Sequence, residues 1–157
     1  MTGVPAGVAI RRLSPEDAEL FNSLSESDNL FDEDPSVAPS GALAPDGARA
    51  FLADPSVLFW VAESGPVTVG FLHCIVQRRR TAGPWAEVLL MEMGVHTEWR
   101  RQGVGTALVS AMELWMAGND VLEAWVPANN YAVGFYLKSG FTADEGSILV
   151  KQLQRLA

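Results

Sequence analysis

The chain has a single cysteine, Cys74, and so cannot form an internal disulfide. It has no apolar run close to the roughly 20 residues that span a bilayer as a helix. The N-terminal MTGVPAGVAIRRL lacks a basic leader followed by an apolar core, so no secretory signal is expected. Together these features point to the cytoplasm. Basic residues are scarce: 11 Lys and Arg stand against 19 Asp and Glu, a net charge of −8. That balance argues against nucleic acid as a partner. No internal repeat is visible, no metal is expected, and no membrane partner is implied.

What charge there is lies unevenly. Residues 1–55 hold ten acids against Arg11, Arg12 and Arg49, so seven of the eight net negative charges fall there. An acidic half is suited to attract a cationic substrate. It also suits ordinary solubility. At 157 residues with 48% hydrophobic content, the chain is expected to form one soluble domain, 1–157, with a substantial core.

Taken in order, residues 7–13 read as a strand. Ser14-Pro15-Glu16-Asp17 then marks a helix start, with Ser as cap, Pro first and acids in the first turn. That helix runs to about Leu24. Residues 25–45 are rich in Ser, Asp, Pro, Gly and Ala, and read as a functional loop or lid. A short helix at 46–53 follows. Residues 57–63 and 67–77 form a hairpin around Ser64-Gly65-Pro66. Arg78-Arg79-Arg80 reads as a solvated strand end or as a reach toward an anion. Residues 85–95 are the next strand. A helix from Gly103 places Val104, Leu108, Met112 and Trp115 on one apolar stripe. Then come a strand at 121–126, a helix at 129–138, and two strands at 141–143 and 147–154. The predicted class is α+β, a central mixed and strongly twisted sheet of about seven strands flanked by about four helices.

The most informative stretch is 91–116, MEMGVHTEWRRQGVGTALVSAMELWM. Between its strand and helix lies Arg100-Arg101-Gln102-Gly103-Val104-Gly105. Glycines at a helix start allow close approach to the backbone, and the unpaired first N–H groups favour an anion. The same glycines also suit a plain helix cap. A Walker loop is excluded because Thr106 and Ala107, rather than Lys and Ser/Thr, follow Gly105. A Rossmann fingerprint is excluded by Leu108, where a third small residue is required. The remaining pattern is Arg/Gln-x-x-Gly-x-Gly/Ala, met by Arg100, Gly103 and Gly105. Here the sequence resembles the GNAT superfamily of acyl-CoA-dependent N-acetyltransferases. A second stretch, NNYAVGFYLKSGF at 129–141, is similar to that superfamily's C-terminal signature at Asn129, Ala132, Phe135, Tyr136, Gly140 and Phe141.

The resemblance implies a site. Residues 100–106, Arg100, Arg101, Gln102, Gly103, Val104, Gly105 and Thr106, would hold the pyrophosphate of acetyl-CoA. Main-chain groups of Met93 and Val95 would pair with the pantetheine arm, in a gap where two parallel strands splay apart. Asn129 would bind the cofactor or cap its helix. Tyr136 would reach the CoA sulfur and protonate the thiolate; otherwise it is a core tyrosine. Glu92, an acid inside the apolar run LLMEMGV, must face a cleft or be paired. It is the candidate general base or substrate anchor, with Glu87 as the alternative and His96 a less favoured proton shuttle. His73 and Cys74 read as strand fillers.

The implied function is acetyl transfer from acetyl-CoA to a small cationic amine, with Phe31-Asp32-Glu33-Asp34 and Glu92 near the acceptor. There is a shorter likeness to aminoglycoside 3-N-acetyltransferases. Peptide acetylation and a non-catalytic CoA-binding regulatory domain are the alternatives. The stretch SILVKQLQ is a candidate exchanged edge for a homodimer.

Overall fold

The computed structural model describes residues 3–155, so the first two and last two residues of the expected 1–157 domain lie outside it. The chain divides into two compact units, one ending at Val126 and the other starting at Pro127. The first unit holds the sheet. Its strands are β1 (Ala9–Arg12), β2 (Val57–Ser64), β3 (Val67–Arg78), β4 (Ala86–Val95) and β5 (Ala124–Trp125), in the spatial order β1-β2-β3-β4-β5. The first four pair antiparallel, and β5 joins β4 in parallel. Helices α1 (Ala18–Glu26), α2 (Pro45–Ala53) and α3 (Val104–Gly118) belong to this unit, and α4 (Val133–Lys138) belongs to the second. No helix among the described residues is long and apolar enough to cross a membrane.

β2 explains why the middle of the sheet reads as an unbroken apolar run. Val57 to Ala62 are all buried, because both faces of this strand are covered. On one face Phe59 and Val61 join Phe21, Leu24, Phe31, Leu52 and Phe71 in a cluster closed by α1 and α2. On the other, α3 packs across β2, β3 and β4 with Val104, Leu108 and Met112 buried, as the apolar stripe requires. Gly70 on β3 sets the approach of α3. A Cβ built there would lie 2.9 Å from Val104 Cγ1 and 3.2 Å from Leu108 Cδ1. The first turn of α3 thus rests directly on the β3 backbone.

Three expectations need correction. Among the described residues the sheet has five strands rather than about seven, because 141–143 and 147–154 enter no ladder. Ile148, Leu149 and Val150 are exposed, and β-propensity without a pairing partner does not make a strand. β5 is confined to two residues within the expected 121–126. The helix expected from Asn129 begins at Val133, with Ala132 as its cap residue. Asn129 instead closes a preceding turn, its carbonyl accepting from the Ala132 and Val133 N–H groups. The loop 25–45 is also more ordered than its composition suggests. A 3₁₀ turn at Asp28–Phe31 packs against β4 and buries Phe31.

That packing depends on Gly94. A Cβ there would come within 2.6 Å of Phe71 Cε1 and 2.7 Å of Phe31 Cβ. Gly94→Ala is expected to destabilise the protein by about 1–3 kcal/mol through overpacking. Urea unfolding checks this; an unchanged midpoint would mean that Phe31 does not sit against β4.

Candidate active site

β4 organises the site. Its register with β3 slips once: His73 faces Glu92 while Cys74 faces Leu90, leaving Met91 as an extra residue. Such a bulge bends its strand and increases the local twist. It also changes which face each side chain takes. Ala86, Val88 and Leu90 are buried on the α3 side; beyond Met91, Glu92 and Gly94 share a face with His73 and Phe71, the side of α1 and α2. β5 pairs with β4 only at Val88 and Leu89. From Leu90 to Val95, among the described residues, no strand pairs with β4 on the side of β5. Met93 and Val95, the expected main-chain contacts, lie on this free edge.

The edge leads into the glycine turn. After a 3₁₀ turn at Thr97–Trp99, the backbone is left-handed at Arg101 (φ 61°) and again at Gly103 (φ 88°), and α3 begins at Val104. A non-glycine residue held left-handed is strained and marks a constrained segment. Left-handed residues just before a helix turn successive N–H groups into one concavity, an anion-binding arrangement. The first helical bond is Ala107 N–H to the Gly103 carbonyl, 3.0 Å, so the N–H groups from Gly103 to Thr106 precede the helical ladder. Val104 and Gly105 are buried and Thr106 half-buried, while Arg101 and Gln102 stand exposed. The Gln102 amide donates back to the Glu98 carbonyl at 3.1 Å.

Arg100 points elsewhere. Its Nε donates to the Val95 carbonyl (3.2 Å), and one Nη donates to the Phe31 (3.0 Å) and Asp32 (2.9 Å) carbonyls. The other Nη meets the Glu33 carboxylate at 3.4 Å. The guanidinium thereby joins the end of β4 to the acidic segment.

Glu92 is exposed, with its carboxyl partly desolvated by its surroundings. That desolvation, and then the negative charge of Asp28, push its carboxyl above the ordinary range. Glu87 is tied to Arg79 by an ion pair of 3.6 Å, which also accounts for the middle of the arginine run. His96 accepts from the Glu98 N–H through Nδ1 and sets its ring edge-on to Phe31. His73 packs between Phe51 and Phe59, and burial holds it toward the neutral form. Burial pushes the Cys74 thiol up to about 12, so it is inert as a nucleophile. In the second unit Tyr136 is buried, its ring edge-on to Phe135 and Phe141, and the Asn129 amide donates to the Tyr131 hydroxyl at 3.0 Å. No cluster of three or more His, Cys, Asp and Glu suited to a metal occurs among the described residues.

Sequence reasoning missed three participants. Asp28 is one of the ten acids of residues 1–55 with nothing in the sequence to single it out, Gly94 gives no sign of a packing role, and the Met91 bulge has no local sequence signal.

A family model for the acetyltransferase (GNAT) domain matches residues 55–143, more than half of the chain. The chain therefore belongs to the GNAT acetyltransferase family, and it is an N-acetyltransferase enzyme. Among solved structures it resembles the aminoglycoside acetyltransferase meta-AAC0020 from an uncultured soil metagenomic sample, in complex with sisomicin. That match has a TM-score of 0.82 and 21% identity, covering 95% of this chain and 97% of the other. A ribosomal-protein-alanine N-acetyltransferase from Brucella melitensis biovar Abortus 2308 matches with a TM-score of 0.70 and 19% identity, covering 94% and 99%. Aminoglycoside N-acetyltransferase AAC(6')-Iy in complex with CoA matches at 0.68 and 17%, covering 93% and 100%. At these identities the likeness establishes the fold. No curated protein matches the chain in sequence.

Gly103→Val places a β-branched side chain at a left-handed position, where Val is strongly disfavoured. Isothermal titration is expected to show acetyl-CoA binding at least tenfold weaker than in the wild type. Unchanged affinity would separate the glycine turn from donor binding.

Proposed function

We propose that residues 1–157 form one acetyltransferase domain that moves an acetyl group from acetyl-CoA directly to a primary amine, and that the acceptor is a small cationic amine. The observation that carries this reading is the free edge of β4 after Leu89, running straight into the left-handed turn before α3. An extended amide-bearing arm can add to such an edge as a strand would, and an anion suits the N–H groups beyond it. Acetyl-CoA offers both features in that order.

In this reading the main chain of Met93 and Val95 orients the pantetheine arm. The N–H groups of Gly103 to Thr106 hold the pyrophosphate, with the exposed Arg101 adding charge. Glu92 takes a proton from the amine, directly or through water, so that a neutral nitrogen attacks the thioester carbonyl. The carbon–sulfur bond breaks as the amide forms, and the Tyr136 hydroxyl gives its proton to the departing thiolate. Support for Tyr136 comes from its place in the 129–141 signature, and for Glu92 from its place on β4, against which the turn bearing Asp28 packs. Two carboxylates there favour a cation, and so does the acidic first third of the chain.

Two experiments bear on these roles. Tyr136→Phe is expected to lower kcat tenfold or more with acetyl-CoA affinity intact; full activity would remove Tyr136 as the acid. Glu92 acts as a base only when ionised, so kcat/KM should rise with pH through a carboxyl pKa lying above the ordinary range. Glu92→Gln should abolish that acidic limb. A limb that persists in the variant would assign the base elsewhere. The same raised pKa means that the fold holds this proton more tightly than the unfolded chain does. Ionising Glu92 therefore costs stability as pH rises through that range, and the glutamine variant should lose this dependence. Turnover with peptides but not with aminoglycosides, polyamines or amino acids would instead favour a peptide acceptor.

A further inference from the structure

We propose that Arg100 is a positioning residue for the acceptor side, fastening the acidic 3₁₀ turn to the end of β4. This deepens the proposed function and rests on it for the identity of the two substrates.

The geometry carries the argument. A guanidinium offers five N–H groups in a fixed fork and accepts nothing. Four hydrogen bonds engage it here: to the Val95, Phe31 and Asp32 carbonyls and to the Glu33 carboxylate. Three of the four acceptors belong to residues 31–33, and the fourth ends the strand that carries Glu92. Arg100 itself is half-buried, whereas its neighbour Arg101 is exposed. So the two adjacent arginines divide the work. Arg101 stands at the left-handed turn with its charge free for an anion, and Arg100 spends its donors on the loop.

The loop needs such a fastening. Residues 32–44 contain no helix or strand, and most of them are exposed. Phe31 anchors one point, its ring edge-on to Phe71 and His96. Further on, Pro35, Ser40, Gly41 and Leu43 are hydrogen-bonded back to Asn29, Asp28, Ser25 and Asn22, so the stretch just after Phe31 is the part that the two carbonyl bonds from Arg100 fix. Asp28 lies three residues before Phe31 in the same turn and bears on the carboxyl of Glu92. The fastening therefore sets the spacing of the two acids that face the amine. Lysine, a point charge without a planar fork, cannot reproduce four bonds to three residues and a strand end.

The test separates this role from a pyrophosphate contact. Wild type, Arg100→Ala and Arg100→Lys are compared by acetyl-CoA titration and by amide hydrogen exchange across residues 28–34. The expected result for Arg100→Ala is exchange at least tenfold faster in that segment, with acetyl-CoA affinity within threefold of wild type. Arg100→Lys should fall between the two in exchange. In steady state, with whichever amine of an aminoglycoside and polyamine panel is turned over, KM for the amine should rise at least fivefold while KM for acetyl-CoA stays within threefold. A merely structural arginine would not produce that split. Unchanged exchange in 28–34, or a tenfold loss of acetyl-CoA affinity, overturns the proposal. Should Arg100→Ala not fold, the lysine variant and Glu33→Gln, which removes only the ion pair, give the same reading on a smaller scale. A wild-type protein that binds no acetyl-CoA would instead sink the proposed function, and the exchange comparison would still decide whether Arg100 holds the loop.

Discussion

One extra residue in β4 underlies most of what is distinctive here. Met91 has no counterpart on β3, and the strand that enters the bulge as part of the core leaves it as the wall of a site. Before it, Val88 and Leu90 are buried beneath α3; after it, Glu92 and Gly94 face the aromatic cluster under α1 and α2. The same strand loses β5 after Leu89. A β-strand that has lost its neighbour carries unpaired N–H and C=O groups, which is a liability in most proteins. In the proposed function it is the surface that receives the pantetheine arm, and the glycine turn lies at its end.

Two glycines let helix and loop close on β3 and β4 from opposite faces. At Gly70 the first turn of α3 comes down onto β3, which fixes where the N–H groups proposed to hold the pyrophosphate stand. At Gly94 Phe31 comes down onto β4, which fixes where the acidic turn begins. Both are close backbone approaches that a methyl group would obstruct. In the proposed function, donor and acceptor sides are therefore positioned by the same two central strands, and Arg100 joins them a second time through hydrogen bonds.

The sequence made the family legible through two local patterns, and local patterns are where sequence reading is strongest. The turn at residues 100–106 and the stripe Val104, Leu108, Met112 are each set by neighbours in the chain, and α3 follows them. The α+β class, the hairpin at 57–78 and the parallel relation of β4 and β5 were also readable. The strand count was not. Residues 147–154 have strand-like composition, but pairing is a property of the partner rather than of the segment. The orientation of Arg100 was equally invisible, because two of its acceptors are main-chain carbonyls 68 and 69 residues away that any residue could have supplied. Asn129 shows the same limit: an asparagine before a helix suggests a cap, but the intervening turn moved the helix start to Val133.

The central claim is that the free edge of β4 and the left-handed turn together receive one molecule of acetyl-CoA. Residue-resolved NMR titration of the backbone amides tests it most directly. The account predicts saturable one-to-one shifts concentrated in residues 93–95 and 101–106, with the amides of β1 and β2 unmoved. Shifts confined to other parts of the chain, with both of these segments unmoved at saturation, would contradict it.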